Sequence, residues 1–347
     1  MFEPFCVGIT RDFLKPDGTL GFGDIGLDVL AADSRIRYEF LPDLGSEVPA
    51  AVTNRFDALL VLAPKVTETT LSGCQRLVIV ARFGVGYDNI DVPACTRNNV
   101  LLTITPSGVR RPVAVSALTL MLALSHKLFA KDQLTRKGRW NEKLNHMGVG
   151  LTGRTLGLIG LGNIGREILR IVAPLEMRLV AFDPFVPLEV ARASGVEFLS
   201  LEALLKQSDF VCICCSLTPD THHLLNRERL AWMKPTAFLI NVARGPLLDQ
   251  RALTEVLQER RIAGAALDVF EKEPIDADDP LLTLDNVILS PHAICWTDEL
   301  FRGNGQAACR SILDVAAGRV PQAVVNRDVL TQTGLQQKLA QYASRRE

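Results

Sequence analysis

An arginine, a glutamate and a histidine each fall just behind a short apolar run in this chain. Arg244 follows "LINVA", Glu273 lies in "DVFEKEP" behind "AGAALD", and His292 follows "VILSP". These three residue types together suit one chemistry. A guanidinium is a planar fork that can hold a carboxylate and polarise a carbonyl beside it. An imidazole can take a hydroxyl proton while a hydride leaves the same carbon. A carboxylate next to that imidazole favours its charged form and fixes its tautomer. The matching substrate is a 2-hydroxy acid, with a carboxylate beside an oxidisable C–OH. Taken singly, each residue has a plainer explanation. A strand-end arginine is more often a surface ion pair, Glu273 beside Lys272 a solvated charge, and His292 a cap on its strand. Their joint occurrence argues for catalysis.

A departing hydride needs an acceptor, and "TLGLIGLGNIGREI" offers a seat for a nicotinamide dinucleotide. Gly160 permits a tight turn, Gly162 lets the backbone approach a pyrophosphate, and Gly165 lets helix and strand pack closely. The pyrophosphate then lies on the positive end of the helix that opens at Asn163-Ile164. Alone, G-x-G-x-x-G is a weak signal. Here a second strand, "MRLVAFDP", ends in Asp183, 18 residues after Gly165 (183 − 165 = 18). An acid there accepts hydrogen bonds from the ribose hydroxyls. It also repels a 2′-phosphate, and no arginine follows in "PFVPLEV", so NAD is favoured over NADP.

The elements that position these groups can be read from the apolar pattern. Short β-rich runs alternate with helical patterns, the signature of a parallel α/β protein. Strands are expected at Cys6–Thr10, Tyr38–Leu41, Ala58–Ala63, Leu77–Arg82 and Leu101–Thr105. A long helix is expected over about Ser116–Trp140, with Leu118, Met121, Leu122, Leu128 and Phe129 as its apolar positions. Strands resume at Thr155–Gly160, Met177–Asp183, Phe210–Cys215, Ala237–Ala243, Gly264–Val269 and Val287–Ser290. Helical candidates between them are Asn163–Leu175, Leu188–Ala193, Leu201–Gln207, Arg227–Met233 and Gln250–Arg261. Two doubly wound units are the simplest arrangement. Because open parallel sheets bind ligands at the carboxyl ends of their strands, Arg244, Asp268, Glu273 and His292 are expected to converge there. In this reading the strand "AFLINVA" holds Arg244 rigidly, and Gly245 leaves room for substrate. The final "GLQQKLAQYASRRE" reads as a solvated helix or a frayed tail.

Composition narrows the function class. Of 347 residues, 48% are apolar and 22% charged, ordinary for a globular protein, and the net charge of −1 provides no basic footprint for nucleic acid. The apolar run Val113–Leu124 is too short to span a bilayer and is interrupted by Ser116 and Thr119. "MFEPFCVGITRDF" does not read as a secretory signal. Eight cysteines form no C-x-x-C pair, and three sit in "FVCICCSL" as small hydrophobes, so no metal site is expected and a reducing cytoplasm fits.

The ordered series "GVGYDNID", "GLIGLGNIGREI", "SLTPDTHHLLN", "NVARGPLLD", "AALDVFEKEP", "SPH" and "GRVPQAVVN" resembles the D-isomer-specific 2-hydroxyacid dehydrogenases over roughly residues 55–327. That group contains phosphoglycerate dehydrogenase and glyoxylate/hydroxypyruvate reductase. The resemblance implies an NAD-binding Rossmann domain (106–293) inserted into a flavodoxin-like substrate-binding domain (1–105 and 294–330), with 331–347 as a C-terminal tail. It implies that Arg244, Glu273 and His292 are the catalytic trio. Backbone amides at Val85-Gly86 would hold the substrate together with Arg244 and His292. Cofactor contacts would fall on Gly160, Gly162, Asn163, Ile164, Gly165, Asp183, Cys215, Ser216, Thr221, Val242, Ala243, Arg244, Asp268 and His292. It also implies a homodimer through the 116–140 helix, with neither nucleic acid nor membrane as partner.

The chain departs from the family pattern at Cys214, Ser216 and Val115, in the extended "FLKPDGTLGFGDIGLDVL", and in "AICWT", where Cys295 and Trp296 follow His292. The expected activity is NAD-dependent interconversion of a D-2-hydroxy acid and its 2-keto acid. The alternative is a non-enzymatic NAD(H)-sensing binding protein of the same fold.

Overall fold

The computed structural model describes residues 3–43 and 45–344. The chain divides into one unit made of Met1–Val109 with Trp296–Glu347, and a second made of Arg110–Cys295. The junctions therefore fall four and two residues beyond the expected 105 and 293. The first lies inside a helix that begins at Pro106, so no linker marks it.

The first unit is built on five parallel strands: β1 (Phe5–Ile9), β2 (Ile36–Phe40), β3 (Ala58–Val61), β4 (Ile79–Arg82) and β5 (Leu101–Thr103), in the order β2-β1-β3-β4-β5. The second holds seven parallel strands: β6 (Thr155–Ile159), β7 (Arg178–Phe182), β8 (Glu197–Phe198), β9 (Phe210–Ile213), β10 (Phe238–Asn241), β11 (Gly264–Leu267) and β12 (Val287–Leu289). Their order is β12-β11-β10-β9-β6-β7-β8. Strands covered on both faces must be apolar throughout, and β3, β9, β10 and β11 are buried at every position. Among the described strands, only β8 escaped the sequence pattern. It is a two-residue edge strand, "EF", too short to register as a run.

Among the described residues, the longer helices are α1 (Pro106–Ser125), α2 (Leu128–Arg136), α3 (Asn163–Val172), α4 (Gln250–Gln258), α5 (Asp298–Ala316) and α6 (Thr333–Ala343), besides shorter ones. The single helix expected over 116–140 is in fact α1 and α2, separated at Lys127, whose φ of 51° is left-handed. α1 begins ten residues earlier than expected because it tolerates Pro112 in its interior, where a helix start is normally read after a proline. It is long and apolar enough to cross a membrane by length and composition alone. Its apolar side is instead packed in the core through Ala114, Ala117, Leu120, Met121 and Leu124. Leu128 and Phe129, expected as apolar positions of the same helix, are 57% and 58% exposed beyond the break.

The C-terminal segment is likewise no solvated or frayed tail. Leu335, Leu339 and Tyr342 of α6 are buried in the first unit. The Tyr342 hydroxyl donates to Asp57 Oδ1 at 2.8 Å, and Lys338 Nζ donates to the carbonyl of Leu77 at 2.8 Å. The spacing 335, 339, 342 is one helical stripe, hidden in the sequence by the polar residues around it. Residues 345–347 lie outside the described residues.

Candidate active site

The glycine loop behind β6 fits its expected task. Gly160 has φ of +101°, and a Cβ there would come within 2.7 Å of the Cys215 amide nitrogen. A Cβ on Gly165 would stand 2.4 Å from the Gly160 carbonyl oxygen, so both glycines are needed to fold strand against helix. Gly162 differs, because its Cβ would meet nothing within 4 Å. It is also the N-cap of α3 and has no side chain to satisfy the first amides of Asn163, Ile164 and Gly165. Open space over bare amides at a helix N-terminus fits a diphosphate. Asp183 anchors the loop, accepting from the Leu161 amide at 2.8 Å through Oδ2 and from the Phe185 amide at 2.9 Å through Oδ1. Each oxygen keeps a lone pair for a ribose hydroxyl.

Behind β9, Cys214 is half-buried and its thiol donates to the Gly160 carbonyl at 3.0 Å. Burial pushes the Cys214 thiol well up and that of Cys215 to about 11, so both stay protonated. The next turn is tied by Thr221, whose hydroxyl donates to the Ser216 carbonyl at 2.8 Å and accepts from the Thr218 amide at 2.7 Å.

Strands β10, β11 and β12 are neighbours, and their carboxyl ends carry the remaining groups. Asn241, fully buried at the end of β10, shapes the turn: its Oδ1 accepts from the Ala243 amide at 3.0 Å and its Nδ2 donates to the Arg244 carbonyl at 2.9 Å. With Val242 it fixes the backbone leading to Arg244. Gly245 corrects the sequence reading. A Cβ there would lie 1.9 Å from the Phe270 carbonyl group, so the space beside it is filled by backbone and not left for substrate. That contact seats the loop carrying Glu273.

Glu273 Oε2 and His292 Nδ1 are 2.7 Å apart, and Glu273 Oε1 accepts from the Phe270 amide at 3.0 Å. Burial pushes the Glu273 carboxyl up. The His292 hydrogen bond, the Phe270 amide and the positive charges of His292 and Arg244 outweigh it, so the carboxyl lies below its ordinary range. His292 adopts a left-handed φ of 55°, and its amide donates to the Ser290 carbonyl at 3.0 Å. A non-glycine residue held there marks a constrained position. Asp268 holds the next turn, its Oδ1 accepting from the amides of Ala293 at 3.0 Å and Ile294 at 3.1 Å. Burial raises its carboxyl against the pull of Ser290 and those two amides. Beside Glu273 and His292 opens a cavity of about 510 Å³, walled by Phe270, Ile275, Leu282 and Leu289.

The second unit thus brings together Arg244, Asp268, Glu273 and His292. Asn241 is the functional-site residue that sequence reasoning left without a role; a polar residue inside an otherwise apolar strand was its signal. Val85 and Gly86 belong to the first unit, directly behind β4. Their loop is pinned by the Thr105 amide, which donates to the Gly84 carbonyl at 2.9 Å. Among the described residues, no group of three or more His, Cys, Asp or Glu could hold a metal ion.

Residues 118–293 match the sequence model of the "D-isomer specific 2-hydroxyacid dehydrogenase, NAD binding domain". A glyoxylate reductase of Thermococcus onnurineus is 38% identical over 295 residues, covering 83% of this chain and 88% of that one. A D-3-phosphoglycerate dehydrogenase of Methanocaldococcus jannaschii is 39% identical over 281 residues, which are 80% of this chain and 53% of that longer protein. Among solved structures, a D-lactate dehydrogenase from Aquifex aeolicus complexed with NAD and lactic acid superposes with a TM-score of 0.79. It is 28% identical and covers 92% of this chain and 99% of that one.

Proposed function

We infer the function from one premise: the chain belongs to the D-isomer specific 2-hydroxyacid dehydrogenase family. It is an NAD-dependent 2-hydroxyacid dehydrogenase with a Rossmann NAD-binding domain. Its proposed reaction interconverts a D-2-hydroxy acid and its 2-keto acid. The observation that carries the assignment of roles is the Glu273–His292 pair at 2.7 Å, poised at neighbouring strand ends with Arg244.

Arg244 binds the substrate carboxylate and polarises the carbonyl oxygen; in the first unit, the amides of Val85 and Gly86 are the candidate substrate-binding groups. Glu273 occupies His292 Nδ1, which leaves Nε2 to exchange the proton. In reduction Nε2 gives its proton to the carbonyl oxygen, and in oxidation it removes the hydroxyl proton. When bound, the dinucleotide supplies or accepts the hydride. The residues to hold it are Gly160, Gly162, Asn163, Ile164 and Gly165 at the pyrophosphate, and Asp183 at the ribose. Cys215, Ser216, Thr221, Val242, Ala243 and Asp268 line the remainder. The Asp183 carboxylate supports NAD over NADP. The alternative, an NAD(H)-sensing protein without turnover, would bind NADH and reduce no 2-keto acid.

The eight free thiols support a reducing cytoplasmic setting. Leu128, Phe129, Trp140, Leu144 and Met147 are each more than half exposed along α2 and the turn behind it, which supports a homodimer through this arm.

The test of the reaction is NADH oxidation against a panel of 2-keto acids. The wild-type chain should turn over at least one of them. His292→Ala should lose about 10²–10⁴-fold in kcat while NADH still binds. Undiminished turnover would remove His292 from the mechanism.

A further inference from the structure

Five aromatic side chains of the first unit meet in one cluster: Phe13, Phe22, Phe83, Trp296 and Phe301. Phe13 lies in the turn behind β1, and Phe83 is the first residue behind β4. The cluster therefore grows from the carboxyl edge of the first sheet, the edge at which open parallel sheets bind ligands. Phe22 stacks on Phe301 at 4.3 Å with 14° between the planes, and Trp296 meets both edge-on, at 5.1 and 5.6 Å.

Helix capping explains part of this arrangement. Thr297 caps α5, its hydroxyl accepting from the Leu300 amide at 3.2 Å. Trp296 precedes the cap and Phe301 is the fourth helical residue, so their contact is a hydrophobic staple. A staple needs only one edge of the indole. Phe83 and Phe301 are 2% and 5% exposed, whereas Trp296 remains 51% exposed. The loop bearing Phe22 is fastened to α5 at two places where only glycine fits. A Cβ at Gly305 would stand 1.6 Å from the Ile25 carbonyl oxygen, and one at Gly26 would stand 2.6 Å from the Gln306 amide nitrogen. The half-open aromatic surface is thus rigidly built.

We propose that Phe22 and Trp296 form the subsite for the substrate's side chain, and that it selects 2-keto acids with an aromatic or bulky apolar side chain over glyoxylate. The subsite rests on the dehydrogenase reading of the active site. Phe83 stands two residues before Val85, so the cluster adjoins the candidate substrate-binding amides. Carboxylate and side chain sit on either side of the keto carbon, so a substrate held at that loop presents its side chain to the neighbouring surface. Aromatic rings favour edge-to-face and offset contact with such a surface. No member of the cluster is charged, so a phosphate-bearing side chain gains nothing from it.

Affinity and turnover of the full chain test this separately. Binding of D-3-phenyllactate and D-lactate is measured by calorimetry with NADH present, which cannot react with a hydroxy acid, beside NADH oxidation with phenylpyruvate and glyoxylate. Phenyllactate should bind about 30-fold tighter than lactate, and phenylpyruvate should exceed glyoxylate about tenfold or more in kcat/KM, chiefly through KM. Trp296→Ala should collapse the binding preference to below about threefold, and Trp296→Phe should restore most of it. Equal affinity for the two acids, or tighter phenyllactate binding by Trp296→Ala, would overturn the subsite, the latter by making Trp296 a plug. A lowered melting temperature with an unchanged preference would also overturn it, leaving Trp296 a staple only. Absence of turnover with every acid, alongside a Trp296-dependent preference for phenyllactate, would sink the dehydrogenase reading and uphold the subsite.

Discussion

Glu273 is a residue whose surroundings decide its charge. Burial opposes ionisation, but the His292 hydrogen bond, the Phe270 amide and two nearby cations prevail, so the carboxyl titrates below 4.5. That depression sets the sign of the pH dependence. What the ionised Glu273 carboxylate contributes is complete above pH 4.5 and is lost as pH falls through the lower folded value. At neutral pH Glu273 is therefore an anion that orients His292 without trading its own proton. Glu273→Gln should lower kcat about 10²-fold, with a much smaller change in NADH affinity. Equal losses in kcat and NADH binding would indicate a collapsed loop and not a misdirected imidazole. The types and strand-end positions of these residues were visible in the sequence. Asn241 and Gly245 were visible as residues but not as devices, because their partners, the Arg244 turn and the Phe270 backbone, are assembled only by folding.

Secondary-structure elements were most legible where burial on both faces forces continuous apolar runs, as in β9 and β10. Legibility failed where geometry interrupts a pattern, at the left-handed Lys127 between α1 and α2, and at Pro112 inside α1. It also failed for an ion pair that spans elements. Glu167 of α3 faces Arg170 of the same helix at 2.6 Å and Arg111 of α1 at 3.1 Å. The Arg170 hydrogen bond, working against burial and with help from Arg111 and Arg110, lowers the Glu167 carboxyl from 4.5 to about 2. The folded value being depressed, the stabilisation is complete above pH 4.5 and lost as pH falls toward 2. The Glu167 side chain is 7% exposed, but the arginines are 42–64% exposed, so water screens the cluster and the loss should be about 1–2 kcal/mol. Denaturant titrations at pH 7 and pH 3 should show Glu167→Gln losing less stability on acidification than wild type. Identical losses would mean that α3, the helix offered to the pyrophosphate, is held to α1 by apolar packing alone.

Across the whole molecule, the pattern of alternating strands and helices announced two parallel-sheet units, while the role of the C-terminal segment stayed hidden among polar residues until α6 docked through Leu335, Leu339 and Tyr342. The same scale decides the exposed arm. A single chain leaves Phe129 58% and Leu144 75% exposed, an arrangement suited to a second copy. Sedimentation should find wild type as a dimer and Phe129→Asp/Leu144→Asp as a folded monomer; a monomeric wild type would remove the arm from assembly. The most direct test of hydride transfer between a 2-hydroxy acid and NAD is the rate of NADH oxidation by wild type and His292→Ala with a panel of 2-keto acids, read beside NADH affinity. The expected result is turnover by wild type, a loss of about 10²–10⁴-fold in the variant and retained NADH binding. A wild-type chain that binds NADH yet reduces no 2-keto acid, or a variant as fast as wild type, would contradict it.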